Sequence, residues 1–518
     1  MKKAKKIGLF FMLLILISSC TTTPTSSTEE DKEVYIYAIN DFHGAIKETS
    51  SRAGILKIGS YLKNKKEQND AIIINSGDYW QGSIDSNYNR GKLLTEVANE
   101  IQFDCLTLGN HEFDWGQQYI ATNRNIRSDS GYQVPFLAAN VYRYDINTRI
   151  VGEYANVGDK YTIRTLKNGL KVGIIGVIGS TQLASITSHL VEDITFIDPN
   201  ETIKEVSDEL RMNEHCDIVL ASCHADQDDI DSSITQVSPN SHKKYVDAVF
   251  CAHTHVDEKK KENGVPFIQS ACYGEKIGVV KLIEDNGDWR CDVYESVNAK
   301  RITSGVTIDS RMASIVSRYG EETAEVSAEI LNQSTGYFSS SLGLPNMVCG
   351  AMADYAIKNN IDVDYTICNN ARTSFERGDI TFGDVYQALP FDNEVVIIET
   401  TGERIMNRAL YNSFYRLDPN PLEPNKTYRV AVIDYLAFHR GTNRNYDHFP
   451  NHVLVGKYSK AGMSLYTYRD LTADYLRNLN LTLSPDNYLA SSSNPYSVYY
   501  DVELLEEAVV LPPNPYVG

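Results

Sequence analysis

Leu108-Gly-Asn-His-Glu-Phe-Asp-Trp-Gly116 brings an amide, an imidazole and a carboxylate together directly after an apolar run, residues 103–108. An apolar run followed by a polar turn is typical of a buried strand that ends at the edge of an α/β sheet. Ligands of open α/β sheets bind in the crevice at the carboxyl ends of the strands. The stretch therefore predicts a functional site at this edge.

Further apolar runs alternate with helical or loop segments, which indicates a layered α/β domain. The predicted strands are residues 34–40, 71–76, 103–108, 171–178, 216–222 and 247–252, with more strands in 266–283. Residues 302–330 have a helical pattern with these apolar residues on one face: Ile308, Met312, Ile315, Val316 and Tyr319. Because the chain has 518 residues, well beyond the roughly 250–300 at which single cores stop growing, we expect a second domain from about residue 331.

Composition limits the class of protein and its partners. With 42% hydrophobic and 23% charged residues, the chain is globular. The net charge of -19 argues against nucleic-acid polymers as partners, because proteins that bind them present a basic surface. The cysteines after Cys20 form no CxxC pair, and we expect buried free thiols, with disulfides as the alternative.

The first twenty residues have the pattern of an export signal, with four lysines, an apolar run at 7–17 and small residues before Cys20. The run is too short to span a bilayer. Since Ile17-Ser-Ser-Cys20 resembles a bacterial lipobox, we expect Cys20 to be lipidated, with residues 21–33 as a polar tether. The protein would then be anchored in the bacterial cell envelope and face the periplasm or the cell surface. A simple secretory signal is the alternative.

Residues with metal-binding side chains follow several of the apolar runs. They are Asp41-Phe-His43, Gly77-Asp78, Gly109-Asn110-His111-Glu-Phe-Asp114, Cys223-His224 and His253-Thr-His255. A lone histidine after a strand is more often structural than a ligand. Alternate residues of an extended chain, however, point the same way, so the DxH and HxH pairs can each share one ion. Such clusters at successive strand ends indicate a metal centre, since grouped Asp and His side chains would lack partners without a cation.

The number of donors favours two metal ions over one. The seven candidates are Asp41, His43, Asp78, Asn110, His224, His253 and His255. They exceed one four-coordinate site but suit two ions that share a bridging carboxylate. Oxygen and nitrogen donors without thiolate favour zinc, manganese, iron, cobalt or nickel over calcium. Two ions roughly 3.5–4 Å apart can activate a water and polarise a phosphoryl group, so the pattern predicts a phosphoester hydrolase.

These motifs, in this order, resemble the calcineurin-like metallophosphoesterase domain of the bacterial 5'-nucleotidase family. The matching stretches are Asn40-Asp-Phe-His-Gly44, Gly77-Asp78 with Gln81-Gly-Ser83, Gly109-Asn-His-Glu-Phe-Asp114, His224 and Ala252-His-Thr-His255. Ala252 stands where the family usually has glycine. The resemblance implies an α/β fold: a four-layer β-sandwich domain flanked by helices at 34–301, a connector helix at 302–330, and a smaller α+β substrate-binding domain at 331–518.

The resemblance also implies a role for each residue. One metal would be held by Asp41, His43, Asp78 and His255, and the other by Asp78, Asn110, His224 and His253, with Asp78 bridging. His111 would donate a proton or hydrogen bond to the phosphoryl oxygens or the leaving group, oriented by Asp114. Residues three apart share a face on a first helical turn, so Asp114 can fix the imidazole tautomer and favour its charged form.

In the second half the resemblance rests on four landmarks. They are Asp379-Ile-Thr-Phe-Gly-Asp384, Leu389-Pro-Phe-Asp-Asn393, Thr401-Gly402 and Lys426-Thr-Tyr-Arg-Val430. Arg372 is the expected phosphate contact, although Asn369-Asn370 replaces the family's preceding glycine pair. Arg377 and Arg408 are weaker candidates, because a surface arginine is usually a solvated charge.

The family clamps the nucleobase between two aromatic rings. One position maps onto Tyr435, and Phe414 or Tyr415 is a candidate for the other. The glycine-rich loop that usually follows is replaced here by residues 438–446.

We therefore predict an exported, lipid-anchored phosphohydrolase with two divalent metal ions, zinc, manganese or similar. A metal-bound hydroxide would release phosphate from a small substrate, a nucleoside 5'-phosphate. Two alternatives stay open: a 2',3'-cyclic nucleotide or other phosphodiesterase or nucleotide-sugar hydrolase, and a non-catalytic surface binding protein on the same scaffold.

Overall fold

The computed structural model describes residues 32–409, 412–417, 420, 422–438, 448–463 and 465–488. In these ranges the strands are β1 (Glu33–Ile39), β2 (Ile72–Asn75), β3 (Cys105–Thr107), β4 (Phe136–Leu137), β5 (Val141–Asp145), β6 (Ile150–Tyr154), β7 (Tyr161–Thr165), β8 (Lys171–Ile178), β9 (Ile194–Phe196), β10 (Ile218–His224), β11 (Ala248–Phe250), β12 (Asp257–Glu262), β13 (Val265–Ser270), β14 (Lys276–Asp285), β15 (Asp288–Asn298), β16 (Ile330–Ser334), β17 (Tyr365–Cys368), β18 (Gly378–Thr381), β19 (Val395–Thr401), β20 (Ser413–Arg416), β21 (Thr427–Ile433) and β22 (Val453–Lys457). The helices are α1 (Gly54–Asn69), α2 (Ile84–Asn87), α3 (Lys92–Ile101), α4 (Gln117–Arg124), α5 (Pro199–Met212), α6 (Ala299–Ile302), α7 (Ser310–Ala328), α8 (Gly343–Lys358), α9 (Phe382–Ala388), α10 (Gly402–Ala409), α11 (Asp434–Ala437) and α12 (Tyr468–Asn478).

Two six-stranded sheets pack face to face in the N-terminal part. Their strand orders are β15-β14-β1-β2-β3-β4 and β12-β13-β11-β10-β8-β7. Alternate residues of both sheets, such as Ile36 and Leu220, share one buried cluster between them. The outer face of the first sheet packs against α1 and α3, and that of the second packs against α5. The predicted four-layer sandwich flanked by helices is confirmed.

In each sheet the central strands are parallel, so their carboxyl ends lie at the same edge. β1, β2, β3 and β4 are parallel neighbours, and so are β8, β10, β11 and β13. Each predicted apolar run overlaps a strand, and residues 171–178 coincide with β8. Because these strands are buried on both faces, their sequences are continuous apolar runs.

The helix predicted at 302–330 is shorter than expected. α7 begins at Ser310 because the Asp309 side chain accepts from Arg311 N and Met312 N at 2.9 and 3.0 Å. Ile308 precedes this cap and is exposed, so its assignment to the helix face was wrong. Met312, by contrast, is buried in the core of the first sheet. The helix ends at Ala328, just before β16.

The C-terminal part has its own core. It contains a five-stranded sheet of order β20-β17-β21-β19-β22 and a two-stranded sheet of β16 and β18. Helices α8 and α12 contribute Met347, Met352 and Leu476 to its core. The described residues from Glu33 onward form one compact unit. The described residues from 331 onward therefore include an α+β fold that packs on the N-terminal sandwich. The substrate-binding role of this part stays a prediction.

The thiols agree with the sequence-based expectation. Cys105, Cys216, Cys223, Cys251, Cys272, Cys291, Cys349 and Cys368 are free, and all but the half-buried Cys272 are buried. Residues 1–31, with the export signal and Cys20, lie outside the described residues. Among the described helices none has the length and apolar character needed to cross a membrane.

Candidate metal centre

The seven predicted ligands come together at one edge of the sandwich. Asp41 and His43 follow β1, Asp78 follows β2, Asn110 follows β3, His224 ends β10, and His253 and His255 follow β11. All are buried except His253 and His255, which are partly buried. Among the His, Cys, Asp and Glu residues of the set, the ligand atoms form two compact groups.

The first group consists of Asp41, His43 and His255, whose ligand atoms lie within 4.8 Å of one another. The Nε2 atoms of His43 and His255 are 3.0 Å apart, and His255 Nε2 lies 3.5 Å from Asp41 Oδ1. Asn40 donates to Asp41 Oδ2 at 2.7 Å and thereby holds the carboxylate in place.

The second group consists of Asp78, His224 and His253. His224 Nε2 lies 3.3 Å from Asp78 Oδ2. Asn110 belongs beside this group, because its Oδ1 lies 3.0 Å from His224 Nε2 and 3.1 Å from His253 Nδ1. Asp78 Oδ2 also lies 3.7 Å from Nε2 of His43, in the first group. A single carboxylate oxygen thus faces both groups.

Left-handed backbone distinguishes these residues from ordinary strand ends. The φ angles are +44° at Asp41, +48° at His43, +53° at Asp78, +81° at His253 and +61° at His255. Residues other than glycine lose about 1–3 kcal/mol each in such conformations, which persist where the surroundings enforce them. His253 and His255 are not extended, and their side chains lie in different groups. This is the division that the resemblance implies, whereas an extended HxH pair could have shared one ion.

The arrangement fits divalent cations. His224 Nδ1 faces the Ser76 carbonyl at 3.0 Å and donates to it, so Nε2 points at two acceptors, Asp78 Oδ2 and Asn110 Oδ1. His43 Nδ1 likewise donates to the Gln81 carbonyl at 2.9 Å, which directs a lone pair at Nε2 into the first group. Facing acceptors need a proton or a cation between them. Carboxylate, amide oxygen and imidazole are the donors that zinc and manganese take in proteins.

The pKa values show the electrostatics of the metal-free centre. Burial alone raises the pKa of Asp78, but the His224 and His111 imidazoles overcome it and hold the pKa well below its usual range. Burial lowers the pKa of His224, but the Asp78 carboxylate beside it reverses the effect and raises that pKa to about 9. Burial and the neighbouring His224 lower the pKa of His253 to about 3. Without a metal ion, the Asp78 carboxylate and the protonated His224 imidazole therefore stabilise each other.

His111 lies beside the metal-ligand groups. Its Nδ1 contacts Asp114 Oδ2 at 2.8 Å, and its Nε2 lies 4.0 Å from Asp78 Oδ2. Burial lowers the pKa of His111, but the charges of Asp114 and Asp78 outweigh it and raise the pKa above its usual value. The Phe391 ring of the C-terminal part lies 5.4 Å from the His111 ring. The imidazole is therefore oriented by a carboxylate and covered by an aromatic ring.

The predicted substrate-binding residues differ in their positions. The Arg372 guanidinium lies 5.0 Å from the Phe391 ring centroid, and its charge helps to lower the pKa of His43 and His255. It is exposed beside the centre, as a phosphate contact requires. Arg377 is also exposed, in the turn before β18.

The remaining candidates lie within the C-terminal part. Arg408 is half-buried in the last turn of α10, and Tyr435 is half-buried in α11 against the C-terminal core. Phe414 is buried in β20 and stacks on Tyr365 at 5.5 Å, so it serves packing there. Tyr415 packs against the same core. Most of the loop at 438–446, namely 439–446, lies outside the described residues.

Two residues with clear contacts to the centre were missing from the sequence-based set. Glu112 is fully buried and accepts hydrogen bonds from the loop that carries Asp78. Phe391 covers His111. Both lie inside quoted motifs, but spacing marks neither side chain as part of the centre, and only the fold brings their partners together.

Comparisons with known proteins agree with this geometry. The calcineurin-like phosphoesterase family matches residues 34–257, and the 5'-nucleotidase C-terminal domain family matches residues 322–413. Endonuclease YhcR of Bacillus subtilis (strain 168) is 24% identical over 469 residues, which cover 79% of this chain and 37% of that protein. An apyrase of Tabanus yao is 26% identical over 501 residues, which cover 78% of this chain and 85% of the apyrase.

A solved structure has the same fold. The 5'-nucleotidase precursor from Thermus thermophilus superposes with a TM-score of 0.67 at 17% identity, over 86% of this chain and 96% of the other. The fold, the two domain matches and the candidate centre lead to one conclusion. The chain belongs to the 5'-nucleotidase family of calcineurin-like phosphoesterases and is a metal-dependent phosphoric ester hydrolase.

Proposed function

We propose that this hydrolase releases phosphate from nucleoside 5'-phosphates outside the cytoplasm, with two divalent metal ions. One observation carries the proposal: Asp78 Oδ2 lies within 4 Å of imidazole nitrogens from both metal-ligand groups and from His111. Catalytic acid and metal ligands thus surround a single point. In this proposal residues 34–301 form the catalytic domain, and the part from residue 331 selects the substrate.

The ligand roles follow from the two groups. Asp41, His43 and His255 would hold one ion, Asn110, His224 and His253 the other, and Asp78 both. When bound, the two ions supply an activated water and offset charge on the phosphoryl oxygens. Zinc or manganese suits the oxygen and nitrogen donors.

His111 acts on the substrate in this proposal. Its contact with Asp114 fixes Nδ1 as the donor to the carboxylate. The charges of Asp114 and Asp78 outweigh burial and raise the pKa of His111, which favours the imidazolium form, and in that form the Nε2 proton is directed toward the centre. From there Nε2 can donate to a phosphoryl oxygen or to the leaving oxygen. The Phe391 ring shields the imidazole from bulk water, which strengthens the hydrogen bond.

The C-terminal part supplies recognition. Arg372 would bind the phosphate, since a guanidinium can donate two parallel hydrogen bonds to phosphate oxygens. Arg377 and Arg408 are assigned secondary contacts. Tyr435 would stack on the base, and a ring stacked on a base contributes about 1–3 kcal/mol. The relatives named apyrase and 5'-nucleotidase support a nucleotide as the substrate class.

A substrate panel tests the proposal. Steady-state rates would be measured on metal-loaded protein with AMP, UDP-glucose, 2',3'-cyclic AMP and p-nitrophenyl phosphate. We expect AMP to have the highest kcat/KM. The Asp78→Asn variant should lose nearly all activity, because the carboxylate that faces both groups loses its charge. Turnover of the aryl phosphate with none of the nucleotides would reject the nucleotide assignment.

A phosphodiesterase is the second candidate. The relative named as an endonuclease favours it, because cleavage of a phosphodiester needs the same metal centre. A kcat/KM for 2',3'-cyclic AMP above that for AMP would select this alternative.

We further propose that Cys20 carries a lipid that anchors the protein to the cell envelope. Support comes from the lysines, apolar run and Ile17-Ser-Ser-Cys20 motif in the first twenty residues. Mass spectrometry of the N-terminal peptide should find a diacylated cysteine. A Cys20→Ala variant should be recovered in the soluble extracellular or periplasmic fraction. An unmodified Cys20 in the mature protein would contradict the anchor and favour a simple secretory signal.

A further inference from the structure

We propose that Glu112 is a positioning residue for the metal centre: its buried carboxylate fixes the loop that carries Asp78 against the turn that carries Asn110. The inference rests on the proposed function, because it presumes that these residues hold metal ions. It concerns how the ligands are kept in place rather than which residues they are.

The Glu112 carboxylate accepts four backbone N–H groups. Its Oε2 accepts from Asp78 N at 2.9 Å and Gly109 N at 2.7 Å. Its Oε1 accepts from Tyr79 N at 2.9 Å and Trp80 N at 3.3 Å. Only Gly109 belongs to the turn of Glu112 itself. A carboxylate that merely capped this turn would need that bond alone, so the other three point to a link between two loops.

A hydrogen bond in the opposite direction completes the link between the two loops. Asp78 Oδ1 accepts from His111 N at 2.9 Å, which leaves Oδ2 to face the imidazoles. The two backbones are in close contact, because a Cβ atom at Gly109 would lie 2.2 Å from Asp78 Oδ1. Asp78 has a left-handed backbone with φ +53°, a conformation that needs enforcement by its surroundings. The bonds from Glu112 provide that enforcement.

Glu112 does not act as an ion-pair partner. Within the described ranges no lysine or arginine forms a salt bridge with it. Its partners are N–H dipoles of the two loops. Glutamine has the same shape but one acceptor and one donor end, so it can accept from only one of the two N–H pairs. The Glu112→Gln change thus tests the link with little change in volume.

Metal titration of the purified full chain provides the test. Apo protein would be titrated with Mn²⁺ by calorimetry, and folding would be checked by near-ultraviolet circular dichroism and Tm. The matched control is Asp104→Asn at the other end of β3. Asp104 is also a buried carboxylate, and it accepts from Lys66 Nζ at 2.6 Å and Ile73 N at 2.8 Å.

We expect folded Glu112→Gln to bind Mn²⁺ about 10- to 100-fold more weakly than wild type, as is usual when residues that orient metal ligands are changed. Excess Mn²⁺ should restore its activity. Asp104→Asn should lower Tm and leave the affinity unchanged. Wild-type affinity in Glu112→Gln would overturn the inference, and so would equal losses in both variants. If neither Glu112→Gln nor Glu112→Asp folds, Glu112 serves the fold as a whole and the inference fails. Wild-type protein that binds no Mn²⁺ would instead contradict the proposed function.

Discussion

The Arg90 guanidinium, which precedes α3, forms an ion pair with Asp392 of the C-terminal part. Asp392 also pairs with Arg469, whose Nη2 lies 2.6 Å from Oδ1. Burial raises the pKa of Asp392, but the Arg469 and Arg90 charges overcome it and keep the pKa below its usual value. Asp392 follows Phe391, the residue that covers His111. The pair therefore connects the packing of the two parts to the surroundings of the His111 imidazole.

Arg90→Gln should lower kcat/KM about tenfold without loss of metal, because the chain around Phe391 loses an anchor to the N-terminal part. A double-mutant cycle with Asp392→Asn should give a coupling energy of about 0.5–3 kcal/mol in kcat/KM, the range for residues in direct contact. Steady-state kinetics with AMP and metal analysis of each variant provide the measurements.

The control for this pair is Arg124→Gln. Arg124 forms an ion pair with Asp159 at 2.9 Å, within the N-terminal part alone. Partly exposed pairs contribute about 0–1 kcal/mol, so this change should leave kcat/KM near the wild-type value. Additive effects of Arg90→Gln and Asp392→Asn would contradict a link between the two parts.

Arg372→Gln should raise KM for AMP and lower kcat/KM about 10- to 100-fold, because a hydrogen bond to a charged group contributes about 1.5–3 kcal/mol. Metal affinity should not change, since Arg372 donates no metal ligand. Arg372→Lys should recover part of the loss, because lysine keeps the charge but not the planar pair of donors. The exposed Arg127, changed to Gln, is the control. An unchanged KM in Arg372→Gln would show that another residue binds the phosphate.

His111→Ala should lower kcat about 10²- to 10⁴-fold, the usual contribution of a general acid, while metal content stays at the wild-type level. Asp114→Asn should lower kcat less than His111→Ala does. The imidazole remains, but an uncharged amide replaces the carboxylate that orients it. Metal analysis beside single-turnover kinetics separates the two roles. Loss of both metals from His111→Ala would place this residue among the ligands.

The residues that form the candidate metal centre could be predicted because their signal is local: donor side chains directly follow apolar runs that become strands. The division of His253 and His255 between two groups came from the family resemblance and not from their spacing, since it depends on left-handed φ angles that spacing does not reveal. Glu112 lay within the quoted motif, but its partners belong to a loop more than thirty residues away.

Other features could not be predicted because they depend on packing between segments that are distant in the sequence. Phe391 covers His111 only because the C-terminal part packs on the sandwich. The start of α7 was predicted too early because apolar spacing continues through Ile308, whereas the Asp309 cap sets the boundary.

Asp434 should make stability depend on pH. It is buried at the start of α11, and burial raises its pKa to about 7 in the folded protein, above the unfolded value of about 3.9. A raised folded pKa means that the stability contribution of this group is complete below about pH 4 and is lost as the pH rises through 7. Asp434→Asn, which cannot ionise, should therefore gain stability relative to wild type at pH 8, by at least about 1 kcal/mol. At pH 5 the gain should be smaller. Urea unfolding at both pH values measures the difference, with exposed Asp129→Asn as the control. Equal differences at pH 5 and pH 8 would mean that Asp434 ionises normally in the folded protein.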